Sequence, residues 1–401
     1  MISGPASLTI YHIDEKSYFL FGDIHGGNSK QCDAFGHECD YYDVVSNTYH
    51  YKSDQCTDLV TLFHYWFTFN NDHGIVTNFY SENPYTKDIK RELKPGFVDI
   101  VKHDSQLAIM QLSYFNCYTT NKKDCPYYPN VHFHYADVRS FHKITPDEFY
   151  LNRFSPFKLE PILMYRKQDN NSAINYDIAL WIKYLFVNYK QLLAYIFDPY
   201  GLNDYIDTLQ KAKTMLKTNL SKYIDFLIQI IDEFTVVRQI DDTSVKMSRT
   251  AWELYRLSLT HIDIYNQLIL YIHDVLKNSE DTAQEGIYHV DIYIKNKMYD
   301  YDDTSKRFNQ WYDDFNVKTM NIGFIWMDGY LLARMFIQEG DENIVYAGDA
   351  HIENYNIFIR NYLQIKPVLH IKRTNVRCIT HPLLYDYIPV NKYRNYMLTR
   401  F

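Results

Sequence analysis

Glycine and proline are scarce in this chain, at 13 and 12 residues out of 401. So few backbone punctuators exclude a collagen-like or low-complexity architecture, and they give each glycine-containing motif extra weight. No basic block occurs, and 41 Lys and Arg stand against 49 Asp and Glu, for a formal net charge of -8. A dedicated nucleic-acid binder needs a clustered cationic face to neutralise phosphates, so no nucleic-acid partner is expected. Long uncharged apolar runs are missing as well. The most hydrophobic helical stretch, 178–197, is interrupted by Lys183, Lys190 and Gln191, which are expensive in a bilayer core, so no membrane partner is expected. The N-terminus, Met1-Ile2-Ser3-Gly4-Pro5, has neither the cationic start nor the apolar run of a secretory signal.

Cysteine is sparse too. The six, Cys32, Cys39, Cys56, Cys117, Cys125 and Cys378, sit in a long chain with no secretory signal, where free thiols are the expectation. Cys32, His37, Glu38 and Cys39 have the composition of a metal knuckle. Their Cys-x6-Cys spacing fits no standard zinc pattern and no second such pair follows, so the reading is of structural or free thiols rather than zinc.

What is abundant is aromatic and apolar side chain. The apolar fraction of 46% and charged fraction of 22% are those of a globular protein, and the length suggests two or three structural units at roughly 100 to 200 residues each. Thirty-nine tyrosines, alongside many Asn, Ile, Lys and Phe, match the output of an AT-rich genome, which cautions against reading every Tyr cluster as a binding surface.

The chain reads as an α/β fold: a mostly parallel central sheet flanked by helices, with a helical insertion or cap. Residues 1–168 form the first half of the core, with strand-like runs at 8–13, 18–21, 75–80 and 131–136. Between the second and third runs, Leu59, Leu62, Phe63 and Trp66 recur at helical spacing within 57–69. Strand, helix, strand is a crossover unit, and crossovers make parallel sheets. Residues 169–300 are the helical insertion, with apolar stripes such as Leu254, Leu257, His261, Tyr265 and Leu268. His261 among them reads as a hydrogen-bonded core histidine. The segment 298–314, with Asp300, Asp302 and Asp303, reads as a solvated linker. Residues 315–401 form the second half of the core: helix 322–338, strand 343–347, helix 353–362 and strand 368–371.

Two of these strands end in the same grammar. Phe19-Leu20-Phe21-Gly22-Asp23-Ile24-His25 and Val345-Tyr346-Ala347-Gly348-Asp349-Ala350-His351 each run from apolar residues into Gly-Asp-x-His. In an open α/β sheet the carboxyl ends of the strands are where ligands bind. Two further strands close on ionisable residues: the third on Glu82, the fourth on Asp137 followed by Arg139. Parallel neighbours would gather Asp23, His25, Glu82, Asp137, Arg139, Asp349 and His351 around one crevice. A histidine beside a carboxylate serves as general base, and Arg holds an anion bidentately. Singly, each residue has a plainer role: Asp after Gly caps turns and helices, Arg139 pairs with Asp137, and His132 and His134 alternate with apolar positions on a buried strand. Agreement of four strand ends is what raises the set above those roles. In helix 322–338, Asp328 shares a face with Leu332 and Met335, and Arg334 lies away from it; both are second-rank candidates.

The motif around Gly22 and Asp23 resembles the opening of calcineurin-like metallophosphoesterases, although their remaining motifs are missing here. The wider pattern resembles the erythromycin esterase-like, ChaN-like and TraB-like group, with Gly22, Asp23 and His25 filling its first motif, Glu82 its second, Arg334 its helical arginine, and Gly348 and His351 its last. Strand 133–139 and Asp349 also resemble proteins of giant DNA viruses, which implies the cytoplasm of an infected cell or the virion. The group includes esterases, peptidases and a haem-binding protein, so the resemblance implies a fold more firmly than an activity.

The expectation is a hydrolase of an ester, amide or phosphoester, taking a small-molecule or peptide substrate. A divalent Mn, Fe or Zn ion held by Asp23, His25, Asp349 and His351 is the metal-assisted version. The alternative is a viral structural or host-interaction protein that keeps the fold and binds protein partners through a Tyr-rich surface.

Overall fold

The computed structural model describes residues 1–24, 30–32, 39, 41–43, 48–50, 56–84, 114, 117, 125, 127–137, 249–296, 327–373, 376–381 and 383–398. In chain order the elements are β1 (Ile2–Ser3), β2 (Ser7–Ile13), β3 (Lys16–Asp23), β4 (Lys30–Gln31), β5 (Tyr41–Asp43), β6 (Thr48–His50), β7 (Thr57–Asp58), α1 (Leu59–His73), β8 (Thr77–Pro84) and β9 (Val131–Asp137). There follow α2 (Arg249–Thr260), α3 (Ile262–Asn296), α4 (327–337), β10 (Glu342–Gly348), α5 (Asp349–Ile357) continued by a π turn (Phe358–Tyr362), β11 (Leu369–Lys372), β12 (Val376–Ile379), α6 (Leu384–Tyr387) and α7 (Val390–Leu398). The chain divides into two compact units, Met1–Val138 with Tyr330–Phe401, and Arg139–Gly329.

The first unit is built on a six-stranded sheet of order β11-β2-β3-β10-β8-β9. β2 and β3 form an antiparallel hairpin whose tight loop holds Asp14 at φ 54°, a left-handed conformation that Asp tolerates better than most residues. From β3 across β10 and β8 to β9 every pairing is parallel. The mostly parallel sheet read from the strand-helix-strand order is therefore present, and strands from both ends of the chain alternate within it.

Both faces of this sheet are covered, which is why β3 and β10 are almost continuously buried rather than alternating. On one face Phe19, Phe21, Phe79, Phe133, Ile344 and Tyr346 pack under α1 and α7. Helix α1 starts where the Asp58 side chain accepts from Val60 and Thr61 N–H, and stops at Gly74, whose φ of 72° suits the left-handed cap. Its Phe63 ring lies edge-on to Phe21 and Phe79, at 5.3 and 5.2 Å, and its Trp66 lies edge-on to Phe19 at 4.7 Å. Each such fully buried ring contributes about 1.5 to 3 kcal/mol. On the other face Tyr18 meets Phe336 of α4, and the Tyr11 hydroxyl donates to Asn356 at the end of α5.

A second, four-stranded sheet has the order β4-β12-β1-β7 and is made of very short strands. It carries most of the sulfur. All six cysteines are paired, as Cys32–Cys378, Cys39–Cys56 and Cys117–Cys125, so the expectation of free thiols is corrected. The pairing was hidden because Cys378 reaches Cys32 across a separation of 346 residues, by way of the parallel β4–β12 pairing that sets Arg377 opposite Gln31.

In the second unit, α2 and α3 bury Leu254, Leu257, Tyr265, Leu268, Tyr271 and Leu276 along one stripe. His261 is exposed at the break between them, its N–H donating to Leu257 O, so it is not a core histidine. The apolar stripe runs past it because the helix is interrupted there. The segment 298–314 lies outside the described residues. Among the described residues no helix is long and apolar enough to cross a membrane.

Candidate functional site

The carboxyl ends of β3, β10 and β8 stop at one level. Asp23 is opposite Gly348 and Phe21 is opposite Tyr346, which in turn faces Ser81, the residue before Glu82. Glycine is required at position 22 by a close approach. A Cβ there would lie within 2.5 Å of Asp349 Oδ1 and on the Ser7 hydroxyl. The strand end thus brings Asp23, Glu82, Asp349 and His351 to one rim, while alternation along the strands sorts them onto two faces.

On the α1 face, Asp23 is 1% exposed and its Oδ1 lies 3.2 Å from Arg377 Nε. The Arg377 guanidinium also donates to Ile24 O, so it clamps both the carboxylate and the backbone just after β3. The Tyr346 hydroxyl shares this pocket. Burial pushes it well above the usual phenol range, and the nearby Asp23 charge pushes it further. Its proton is held beside the carboxylate at any ordinary pH.

On the α5 face, His351 Nε2 lies 3.5 Å from Glu82 Oε1, with both side chains buried. The other oxygen, Oε2, accepts from Gly348 N–H at 2.6 Å, so the carboxylate orientation is set by the backbone that launches α5. Asp349 is in the first turn of that helix, where the dipole favours a carboxylate. It accepts from the Ser7 hydroxyl and lies 3.4 Å from Lys372 Nζ. Lys372, 44% exposed, also holds Glu353 at 3.0 Å. Partial burial works to lower its pKa, but the Glu353 hydrogen bond and the Asp349 charge outweigh that and raise it, so it stays cationic. This face therefore offers a buried imidazole-carboxylate pair with a partly exposed carboxylate and ammonium beside it.

Asp137 ends β9 opposite Pro84, in line with the same rim. Its side chain, His25 and Arg139 lie outside the described residues. Asp328 is fully buried in α4 with Leu332 and Met335. Arg334 donates to the Tyr330 hydroxyl and lies over that ring at 5.6 Å. His134 stacks on Tyr80 at 4.6 Å and bonds Asn78 Oδ1 at 3.2 Å. Burial, with the Arg334 and His132 charges adding to it, drives its pKa well below the usual histidine range, so it is a neutral, structural group. Residue-by-residue reading missed Ser7, Tyr346, Lys372 and Arg377. Ser7 and Lys372 lie opposite each other on β2 and the edge strand β11, a pairing that residue order alone does not reveal. Arg377 had no local signal either, since its partner is 354 positions away by subtraction from residue 23.

Among the described residues, the metal candidates Asp23, Asp349 and His351 do not gather within ligand distance of one another. The group that does is Cys32, Cys39 and Cys56, whose sulfurs all lie within 4.8 Å. Comparison with family models, with curated proteins and with solved structures finds no match.

Proposed function

We propose that the chain is a hydrolase of an ester, amide or phosphoester, with His351 as general base toward water and Glu82 as the residue that positions it. The observation that carries this reading is the buried Glu82–His351 contact at the carboxyl end of parallel strands, with the second Glu82 oxygen fixed by Gly348 N–H. A carboxylate held this way keeps the imidazole oriented and stabilises the imidazolium formed when it takes a proton. His351 removes a proton from water, the hydroxide adds to the acyl carbon or phosphorus, and the imidazolium returns the proton to the departing oxygen or nitrogen. Lys372 supplies a cation for the developing oxyanion or for an anionic substrate group. His25 and Arg139 belong to the same proposal as second histidine and anion holder. Asp23, committed to Arg377 on the other face, is a positioning residue. The described candidates do not assemble a metal set, so no step runs through an ion. The resemblance to the erythromycin esterase-like group, and through giant-virus proteins to an infected cytoplasm or a virion, belongs to this proposal as well.

The test uses chromogenic acetate, anilide and phosphate substrates with wild type, His351→Ala and Glu82→Gln, each checked for folding by circular dichroism. Loss of general-base catalysis predicts a fall in kcat of about 10²- to 10⁴-fold for His351→Ala and a smaller one for Glu82→Gln. Turnover unchanged in His351→Ala, or no wild-type turnover with any of the three substrates, overturns the proposal and favours a non-catalytic viral interaction protein.

A further inference from the structure

The small sheet collects four sulfurs that come from distant parts of the chain. Cys32 follows β4, Cys56 precedes β7, Cys378 lies in β12, and Cys39 joins them from a separate segment. Cys32, Cys56 and Cys378 are buried and pack together, with Cys39, Met1 and Val376 against them. The sulfurs of Cys32, Cys39 and Cys56 lie within 4.8 Å of one another, and Cys378 is joined to Cys32.

We propose that these four residues, in their thiol form, are the ligands of a structural zinc ion. Zn–S bonds of about 2.3 Å in a tetrahedron set neighbouring sulfurs about 3.8 Å apart, so Cys32, Cys39 and Cys56 need only small side-chain shifts, while Cys378, outside that group, swings in as the fourth once its bond to Cys32 is broken. Four soft thiolates with no imidazole or carboxylate among them select zinc over Mg, Ca or Mn. Four thiolates, three of them buried and Cys39 half-buried, fill all four positions of the tetrahedron, which makes the role structural. Pairing each thiolate with a different stretch of chain also explains how strands of two residues hold a sheet together.

The zinc and disulfide forms exclude each other. Taking Cys32–Cys378 and Cys39–Cys56 to thiols consumes four electrons and four protons, supplied by two equivalents of a dithiol, each oxidised to a disulfide. Zinc binding then releases the four thiol protons to solvent. In a reducing compartment the zinc form is the one that forms.

The experiment is elemental analysis of the full chain made in a reducing cytosol and purified under reductant without added metal. About one zinc per chain is expected, falling at least about tenfold in Cys378→Ser and in Cys39→Ser. Cys117→Ser, from the third pair, keeps its zinc. Should those variants fail to fold, wild type loaded with Co²⁺ gives the second reading: thiolate-to-cobalt charge transfer together with tetrahedral d–d bands. Wild type lacking both zinc and a cobalt-thiolate band, zinc retained in Cys378→Ser, or iron with inorganic sulfide in place of zinc overturns the proposal.

Discussion

The two larger sheets of the first unit hold themselves together in different ways. In the six-stranded sheet, β3 runs 8 residues and β10 runs 7, and rings from α1 interlock with both neighbouring strands. A one-residue slip there would turn every apolar side chain to the wrong face, so the register is set by the side-chain pattern itself. In the four-stranded sheet β1, β4 and β7 have 2 residues each. Such strands bury too little to choose a register, and a few backbone contacts such as Gly4 N–H to Arg377 O at 3.0 Å do not suffice alone. Cross-linking through sulfur fills that gap. The lesson is that strand length decides whether packing or covalent cross-linking fixes a sheet.

The largest expected effect tests the first half of that contrast. Phe63→Ala removes a ring lodged between Phe21, Phe67 and Phe79, and large-to-small changes of this kind cost about 3 to 5 kcal/mol. Denaturant unfolding should show the whole unit losing that stability in one transition. A cost below about 1 kcal/mol would mean that packing does not govern the larger sheet.

Next comes the sulfur side. Replacing Cys32 and Cys378 together by Ser in oxidised protein should cost about 2 to 5 kcal/mol. Hydrogen exchange should show the loss confined to β1 and β12, with β3, β8 and β10 keeping their protection. Equal loss in both sheets would break the distinction drawn between them.

The smallest effect per step is acid sensitivity lodged in the helix over the larger sheet, which builds up one pH unit at a time. His64 Nδ1 and the Tyr128 hydroxyl are hydrogen-bonded at 2.5 Å, and burial lowers the His64 pKa to about 4. The unfolded chain takes up a proton near pH 6.5 while the folded chain does not, so this stability is intact above pH 6.5. It is lost at about 1.4 kcal/mol per pH unit as the pH falls toward 4. Urea midpoints measured across that window in wild type and His64→Gln should diverge, and parallel curves would remove His64 as the cause.

Much of the larger sheet was legible because long strands write their burial into the sequence. The runs ending at Gly22 and Gly348, the helix with Leu59, Phe63 and Trp66, and the Glu82 strand end all sit where their patterns place them. Boundaries moved where side-chain pattern does not set them: β8 runs to Pro84, and α5 begins at Asp349, directly at the strand end. The small sheet was illegible, since strands of two residues carry no periodicity and Cys378 shows no local link to Cys32. For the candidate site, the residue types at the rim could be read, but not their division between two faces. That division depends on Arg377 and Ser7, whose partners are hundreds of positions away, and on Lys372, which meets Asp349 only once β11 has turned back along the sheet.

Arg377 and Cys378 are consecutive on β12, and neighbours on a strand point to opposite sides. One grips Asp23 and Ile24 at the mouth of β3, while the other is anchored in the sulfur quartet. A single peptide bond thus joins the Cys32 cross-link to the clamp on Asp23, so the small sheet and the rim of the large one share one short strand.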